Sequence, residues 1–448
     1  MESKPLQPVS KRWLATFLPI WVGQAFSLLG TQLVQFALIW YLTKTTGSAA
    51  VLATATLVGL LPQVFLGPIA GTLVDRWNRR TVMMAADSVI ALATVGLALL
   101  FWTGQVQVWQ IYLLMFVRSA AGAFHWPAMQ ASVSLMVPKE HFARIQGFNQ
   151  MLMGGLSIFA APLGALLLEL LPMQGILAID IGTALLAVLP LFFVKIPQPL
   201  RQAPVEGTQP TTVWQEFKIG IRYVASWPGL LMIVFLAMII NLLLTPATSL
   251  QPLLITKHFG GEAIHLAWME SAFGVGMILG GLALSIWGGF RRRVVTSLVG
   301  LVGLGLGMLL IGFTPASAFT MAILAAFIVG VMQPIVNGPL IAVVQAAVEP
   351  EMQGRVFTLI SSGAGAMSPL GLLIAAPVAD YFGVRTWYVI GGAVTILLAI
   401  ASFSIPAIIK VEEGRPGGKA VLKAAETPDL VLSAAAIDAP AHLPSPGD

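Results

Sequence analysis

Fifty-five consecutive residues, Val294 to Val348, contain no Asp, Glu, Lys or Arg. Such a run cannot form a water-facing surface. A helix of about 20 apolar residues crosses a hydrocarbon core about 30 Å thick, so the run holds two crossings, divided at the turn signal Thr314-Pro315-Ala316-Ser317. Similar charge-free runs tile the rest of the chain: Trp13 to Thr43, Ala49 to Val74, Ser88 to Val117, Ile145 to Leu168, Tyr223 to Thr256, Ser271 to Phe290, Val356 to Ala379 and Thr386 to Ile409. Only 10% of the 448 residues are charged and 57% are hydrophobic, against about 25% charged in ordinary soluble domains.

These runs predict an all-α integral membrane protein with twelve transmembrane helices. The spans are expected at 17 to 42, 49 to 74, 81 to 102, 109 to 130, 145 to 170, 174 to 194, 229 to 256, 266 to 287, 294 to 313, 317 to 342, 356 to 380 and 386 to 409. A transmembrane β-barrel would alternate in segments of about ten residues, and the continuity of these runs excludes it. The first span follows Lys11-Arg12, is too long for a signal-peptide core and lacks a cleavage site, so it is read as a retained anchor.

Basic residues set the expected orientation, because cytoplasmic loops carry the excess of Lys and Arg. With the N-terminus inside, Lys44, Lys257 and Arg385 fall outside and Arg118 falls within a span, which leaves twenty of the 24 basic residues on the cytoplasmic side. The net charge of +5 therefore reads as membrane anchoring and requires no nucleic acid. Both termini are expected in the cytoplasm, in a bacterial inner membrane. The absence of cysteine excludes disulfides, thiolate metal sites and a cysteine nucleophile.

The longest internal hydrophilic stretch divides the spans six and six. Gly67 and Arg79-Arg80 match Gly280 and Arg292-Arg293 at an offset of 213, Pro127 and Pro138 match Pro339 and Pro350 at 212, Arg144 matches Arg355 at 211, and Pro162-Leu163-Gly164 matches Pro369-Leu370-Gly371 at 207. The halves are read as a parallel repeat, an architecture used for alternating access about a midplane site. The expected organisation is a cytoplasmic N-terminus (1–12), an N-terminal six-helix bundle (13–194), a cytoplasmic linker (195–228), a C-terminal six-helix bundle (229–409) and a disordered cytoplasmic tail (410–448). The linker combines a Pro-rich stretch with a capping-box pattern at Thr212 to Gln215 that opens an interfacial helix.

Gly71-Thr72-Leu73-Val74-Asp75-Arg76-Trp77-Asn78-Arg79-Arg80, between spans 2 and 3, resembles the G-x-x-x-D-R-x-x-R-R loop of the major facilitator superfamily. Val137-Pro138-Lys139-Glu140 leading to Arg144, Ile179-Asp180-Ile181-Gly182, and Ser226-Trp227-Pro228-Gly229 resemble strings of the bacterial drug:proton antiporters of the macrolide-efflux type. The resemblance implies a major facilitator fold. It also implies a cytoplasmic latch at Gly71, Asp75, Arg76, Arg79 and Arg80, with Gly71 allowing a close helix approach. Asp87, two turns after Arg80, is grouped with this loop as a partner. The corresponding second-half loop, Gly288 to Arg293, keeps the basic residues but has no acid of its own.

Charges inside spans are expensive and mark function by default. Arg118 lies in a span-4 string, Leu114 to Gly122, similar to one from which the family's role in proton coupling is inferred, although Ala121 stands where the family has Gln. Asp180 in span 6, at a depth compatible with Arg118, and Glu270 early in span 8 are the acids that could carry a proton. Gln24, Gln32, Gln35, His125, Trp126, Asn241, Gln333 and Asn337 fall on spans 1, 4, 7 and 10, which line the cavity in this family, and are the substrate-contact candidates. Gly-x-Gly strings such as Gly274-Val275-Gly276 lie within apolar spans and pack helices, and no G-x-x-x-x-G-K-[ST] is present. No cofactor or metal is expected, and the chain is not expected to be an enzyme.

The resulting expectation is a monomeric secondary transporter that exports hydrophobic or amphipathic, macrolide-like drugs by alternating access in exchange for protons. Its partners would be a small amphipathic substrate, protons and the lipid bilayer. Export of an endogenous siderophore or lipid, and a non-transporting sensor built on a transporter fold, are the alternatives.

Overall fold

The computed structural model describes residues 13–74, 77–194, 196 and 213–413. The first twelve residues, Asp75 and Arg76 of the expected latch, the Pro-rich linker at 197–212 and the tail from 414 onward lie outside the described residues. Fifteen helices are described: α1 Trp13–Thr46, α2 Ala49–Val74, α3 Arg79–Thr103, α4 Val108–Met136, α5 Phe142–Leu170, α6 Met173–Phe193, α7 Val213–Ala225, α8 Pro228–Ser249, α9 Gln251–Leu253, α10 Ala263–Trp287, α11 Arg293–Phe313, α12 Phe319–Ala347, α13 Pro350–Phe382, α14 Arg385–Phe403 and α15 Pro406–Ile409. Spans 1 to 6 are α1 to α6, and spans 7 to 12 are α8 and α10 to α14. The seventh span breaks earlier than expected. Its helix ends at Ser249, and Gln251–Leu253 and a π-helical turn at Leu254–His258 complete the crossing. Pro246 and Pro252, which lack an N–H for the helical ladder, flank the break.

Eleven helices are both long and apolar enough to cross a membrane. The twelfth crossing, α4, has ample length at 29 residues but carries Arg118, Ser119 and His125 through its middle. Together they form an all-α integral membrane fold of two six-helix bundles. The repeat is visible in which helices touch: α1 with α5 and α6, α2 with α4, and α3 with α4 and α6 recur as α8 with α13 and α14, α10 with α12, and α11 with α12 and α14. The halves meet mainly through α5 with α10 and α2 with α13, two pairings that the repeat exchanges.

Lipid tails are as apolar as Leu, so packing between membrane helices depends on close backbone approach at small residues. A Cβ on Gly23 of α1 would lie 2.6 Å from the Leu186 carbonyl oxygen of α6, and one on Gly280 of α10 would lie 2.1 Å from the Val331 carbonyl oxygen of α12. The buried apolar residues divide unevenly along the membrane normal. At the end bearing the α1–α2 turn, a single core runs through both halves, from Leu38, Leu42 and Leu52 to Leu250, Leu266 and Ala375. At the opposite end each half keeps its own core, around Phe17, Met83 and Leu191 in one and Leu230, Leu298 and Val356 in the other. Among the described residues, a buried apolar core shared by both halves is thus found at one end only.

Among the described residues, the joined end carries one ion pair between the halves. Lys44, in the last turn of α1, contacts Glu262 at the start of α10 at 2.8 Å and lies over the Trp40 ring. At the other end, α7 is tied to the second half by the Tyr223 hydroxyl, which donates to the Glu349 carboxylate.

Candidate functional site

Helices α3 and α4 run antiparallel, and polar residues seven apart on each meet in two layers. Seven residues are two helical turns, about 10 Å. Thr94 of α3 faces Arg118 of α4 in one layer, and Asp87 faces His125 in the other.

In the first layer Arg118 Nη1 donates to Asp180 Oδ2 of α6 at 2.5 Å and to the Thr94 hydroxyl at 2.8 Å, and Nη2 reaches Asp180 Oδ1 at 3.5 Å. Arg118 is 9% exposed and Asp180 2%. The hydrogen bonds of this buried pair offset the desolvation of both charges. Gly30 of α1 makes room for it: a Cβ there would meet Thr183 Oγ1 at 2.3 Å and Asp180 Oδ1 at 3.0 Å.

In the second layer Gln24 of α1 donates through Nε2 to Asp87 Oδ2 at 3.1 Å. His125 Nε2 lies 3.3 Å from Asp87 Oδ1, off the line of a hydrogen bond, and makes none elsewhere although it is buried. Asp87 therefore belongs to the cavity wall, which corrects its grouping with the basic loop. The bonds described for that loop go to backbone within the first half, from Arg79 Nη1 to the Ala131 carbonyl and from Arg80 Nη2 to the Phe192 carbonyl. Gly71 also departs from expectation. Among the described residues, no atom from beyond its own helical turn lies within 4 Å of where its Cβ would be.

Both layers line a cavity of about 380 Å³ with Gln32, Gln35, Trp126, Gln63, Thr31 and Ser119 among its walls. Asn241, Gln333 and Asn337 line a different, smaller cleft of about 130 Å³ within the second half, among Leu236, Ile240 and Leu340. The structure thus gathers five of the eight expected substrate contacts around the two layers and separates the other three. Sequence patterning does not single out Thr94 or Gln63. A signal for Thr94 exists in the matched seven-residue spacings, Asp87 to Thr94 and Arg118 to His125, whereas Gln63 has no polar neighbour to mark it.

Glu270 stands apart from both layers. On α10, Val275, Leu279, Leu282 and Ile286 are exposed on one face. Ser271 and Gly274 meet α5 and Gly276 and Gly280 meet α12. At 100° per residue, Glu270 lies opposite the exposed face, between these two contact strips. It makes no hydrogen bond or ion pair among the described residues. In the second half the basic loop does find an acid, which comes from beyond the last span: Glu412 accepts from the Val294 N–H at 2.7 Å, capping α11, and Glu413 lies 3.9 Å from Arg292. Among the described residues no cluster of His, Asp and Glu could hold a metal ion.

A family model described as Major Facilitator Superfamily matches residues 20–253 and 243–438. Macrolide efflux protein A of Streptococcus pyogenes is 32% identical over 400 residues, covering 89% of this chain and 98% of that protein. The multidrug efflux pump Tap of Mycolicibacterium fortuitum is 25% identical, covering 86% of this chain and 94% of that one. Among solved structures, a peptide transporter in complex with alafosfalin superposes with a TM-score of 0.66 at 13% identity, over 89% of this chain and 95% of that one.

Proposed function

Because the chain belongs to the major facilitator superfamily, we propose that it exports amphipathic, macrolide-like drugs across the bacterial inner membrane by alternating access, in exchange for protons. Similarity to macrolide and multidrug efflux proteins over nearly the whole chain supports the cargo class. The observation that carries the coupling is Glu270, a carboxyl without a counter-ion on the α10 face turned away from lipid. A carboxyl so placed can gain and lose a proton as the path around it opens to either side. Arg118 and Asp180 hold the first-half wall of that path in register and are the other coupling residues.

With both termini in the cytoplasm, the shared core and the Lys44–Glu262 pair lie on the outer side. Apolar packing between the halves at that end alone is the arrangement expected of a state open to the cytoplasm. The basic loop of Arg79 and Arg80 would latch the second half when the cytoplasmic ends close.

The test uses everted membrane vesicles, acidified by respiration and reported by a pH-sensitive dye. Adding a macrolide or a hydrophobic cation is expected to deacidify the wild-type vesicles. Glu270→Gln and Asp180→Asn are expected to abolish the response at equal protein levels. Silence of the wild type across a broad panel of amphiphiles would refute antiport.

A further inference from the structure

We propose that Gln24, Asp87 and His125 form a cation-binding site that takes the positive head of an amphipathic substrate in exchange for a proton carried on the His125 imidazole. The choice of cargo rests on the export reading, while the site itself rests on the geometry of this layer. Asp87 is 4% exposed, and among the described residues its carboxylate meets one amide donor and no fixed cation. A buried carboxylate in that position lacks a compensating positive charge.

The surrounding charges are engaged elsewhere. On α4, Arg118 lies two turns away and is held by Asp180 of α6 and by Thr94. On α3, Arg79 and Arg80 reach backbone carbonyls. The cavity faces of α1 and α2 bring only uncharged residues, Gln24 and Gln63 among them, and the intramembrane charge that α10 brings from the second half, Glu270, is another acid. Imidazole is the side chain that in general changes charge near neutral pH, and His125 is the imidazole that faces Asp87. Its ring nitrogen is buried, unbonded and 3.3 Å from Asp87 Oδ1, so protonation needs only a small ring rotation to make an imidazolium–carboxylate pair.

With that proton the layer is neutral. Without it the layer carries one negative charge on the wall of a cavity that also presents the half-exposed Trp126 ring, a surface suited to a cation with an apolar body. The exchange balances: one proton leaves the imidazole for cavity water and one monovalent cation takes its place against Asp87, with no change in the net charge of the layer.

The full-length protein, purified in detergent, is titrated with tetraphenylphosphonium, a permanent cation, and with triphenylphosphine oxide, a neutral body of similar shape, at about pH 5.5 and pH 8. Wild-type affinity for the cation is expected to rise about tenfold or more at the higher pH, as linkage to one released proton requires. Asp87→Asn should lose about tenfold or more of the cation affinity at pH 8, and Asp87→Glu should retain most of it. His125→Gln should bind the cation equally at both values. Affinity for the oxide should not change in any variant. A wild type with no cation binding or no pH dependence overturns the proposal, as does a His125→Gln protein that keeps the wild-type pH dependence. If Asp87→Asn fails to give a monodisperse protein, His125→Gln decides alone. Failure of the export reading is separate: binding that behaves as expected, with dye-reporting vesicles that never respond, would leave the site standing and remove antiport.

Discussion

The two halves share helix pairings but differ in what fills their centres. Thr94 and Arg118 correspond, at offsets of 213 and 212, to Gly307 and Gly330, and Asp180 corresponds to Gly392 by the 212 that separates the starts of α6 and α14. Where the first half holds a buried ion pair, the second half has three glycines at close helix contacts, two of them against backbone. A Cβ on Gly330 would lie 2.1 Å from the Phe273 carbonyl oxygen, one on Gly392 2.6 Å from the Gly305 carbonyl oxygen, and one on Gly307 2.7 Å from Val329 Cγ2. One fold can therefore be held together either by a charged layer that keeps helices apart around a polar cavity or by helices in backbone contact. The buried Arg118–Asp180 pair then resides in one half, against a closely packed counterpart.

The largest expected effect comes from breaking the charged layer on one side only. Arg118→Leu strands Asp180 as an uncompensated buried charge and should cost about 3 to 5 kcal/mol, read as loss of thermal stability in detergent. The double variant Arg118→Leu/Asp180→Leu should recover most of that loss while remaining inactive. Equal instability of the single and double variants would mean that packing volume, and not charge, holds the layer.

A smaller effect is expected from the glycine layer. Gly330→Ala drives a methyl into the Phe273 backbone and should cost about 1 to 3 kcal/mol. Gly122→Ala, in the first-half cavity wall with no atom of another described element within 4 Å of its Cβ position, should stay within about 0.5 kcal/mol of wild type. Similar losses in the two melting curves would erase the contrast between the halves.

The smallest effect is on the pair that ties the halves together. Lys44 and Glu262 are both well exposed at 44% and 62%, so Glu262→Ala should cost only about 0.2 to 1 kcal/mol. Even that can shift an equilibrium between two open states. Spin labels at the paired ends of α1 and α10 should report a larger population of long distances in the variant, and high salt should produce the same shift in the wild type. Unchanged distances would remove the pair from gating.

Much of this organisation is legible in the amino-acid sequence. The burial cost of a charge belongs to the residue, so Arg118, Asp180 and Glu270 declare themselves by their rarity within apolar runs. The six-and-six repeat shows in the spacing of Gly, Pro and Arg. The partners are less accessible. Asp87 is as near in sequence to Arg80 as a structural partner would be, yet the rotation of α3 turns it toward Gln24 and His125. The second-half loop has no acid within reach along the chain, yet Glu412 arrives from the far end of the bundle. The seventh span reads as continuous because hydropathy does not register the flanking prolines.

The sequence by itself determined that the chain is a membrane bundle of twelve helices, its repeat and the identity of its few intramembrane charges, because each of these follows from solvation summed along the chain. The tertiary structure alone decided which of those charges meet a partner among the described residues, and that the halves share an apolar core at one end. Those outcomes depend on helix rotation and register, where a shift of one residue, about 100° around the axis, exchanges a partner for lipid.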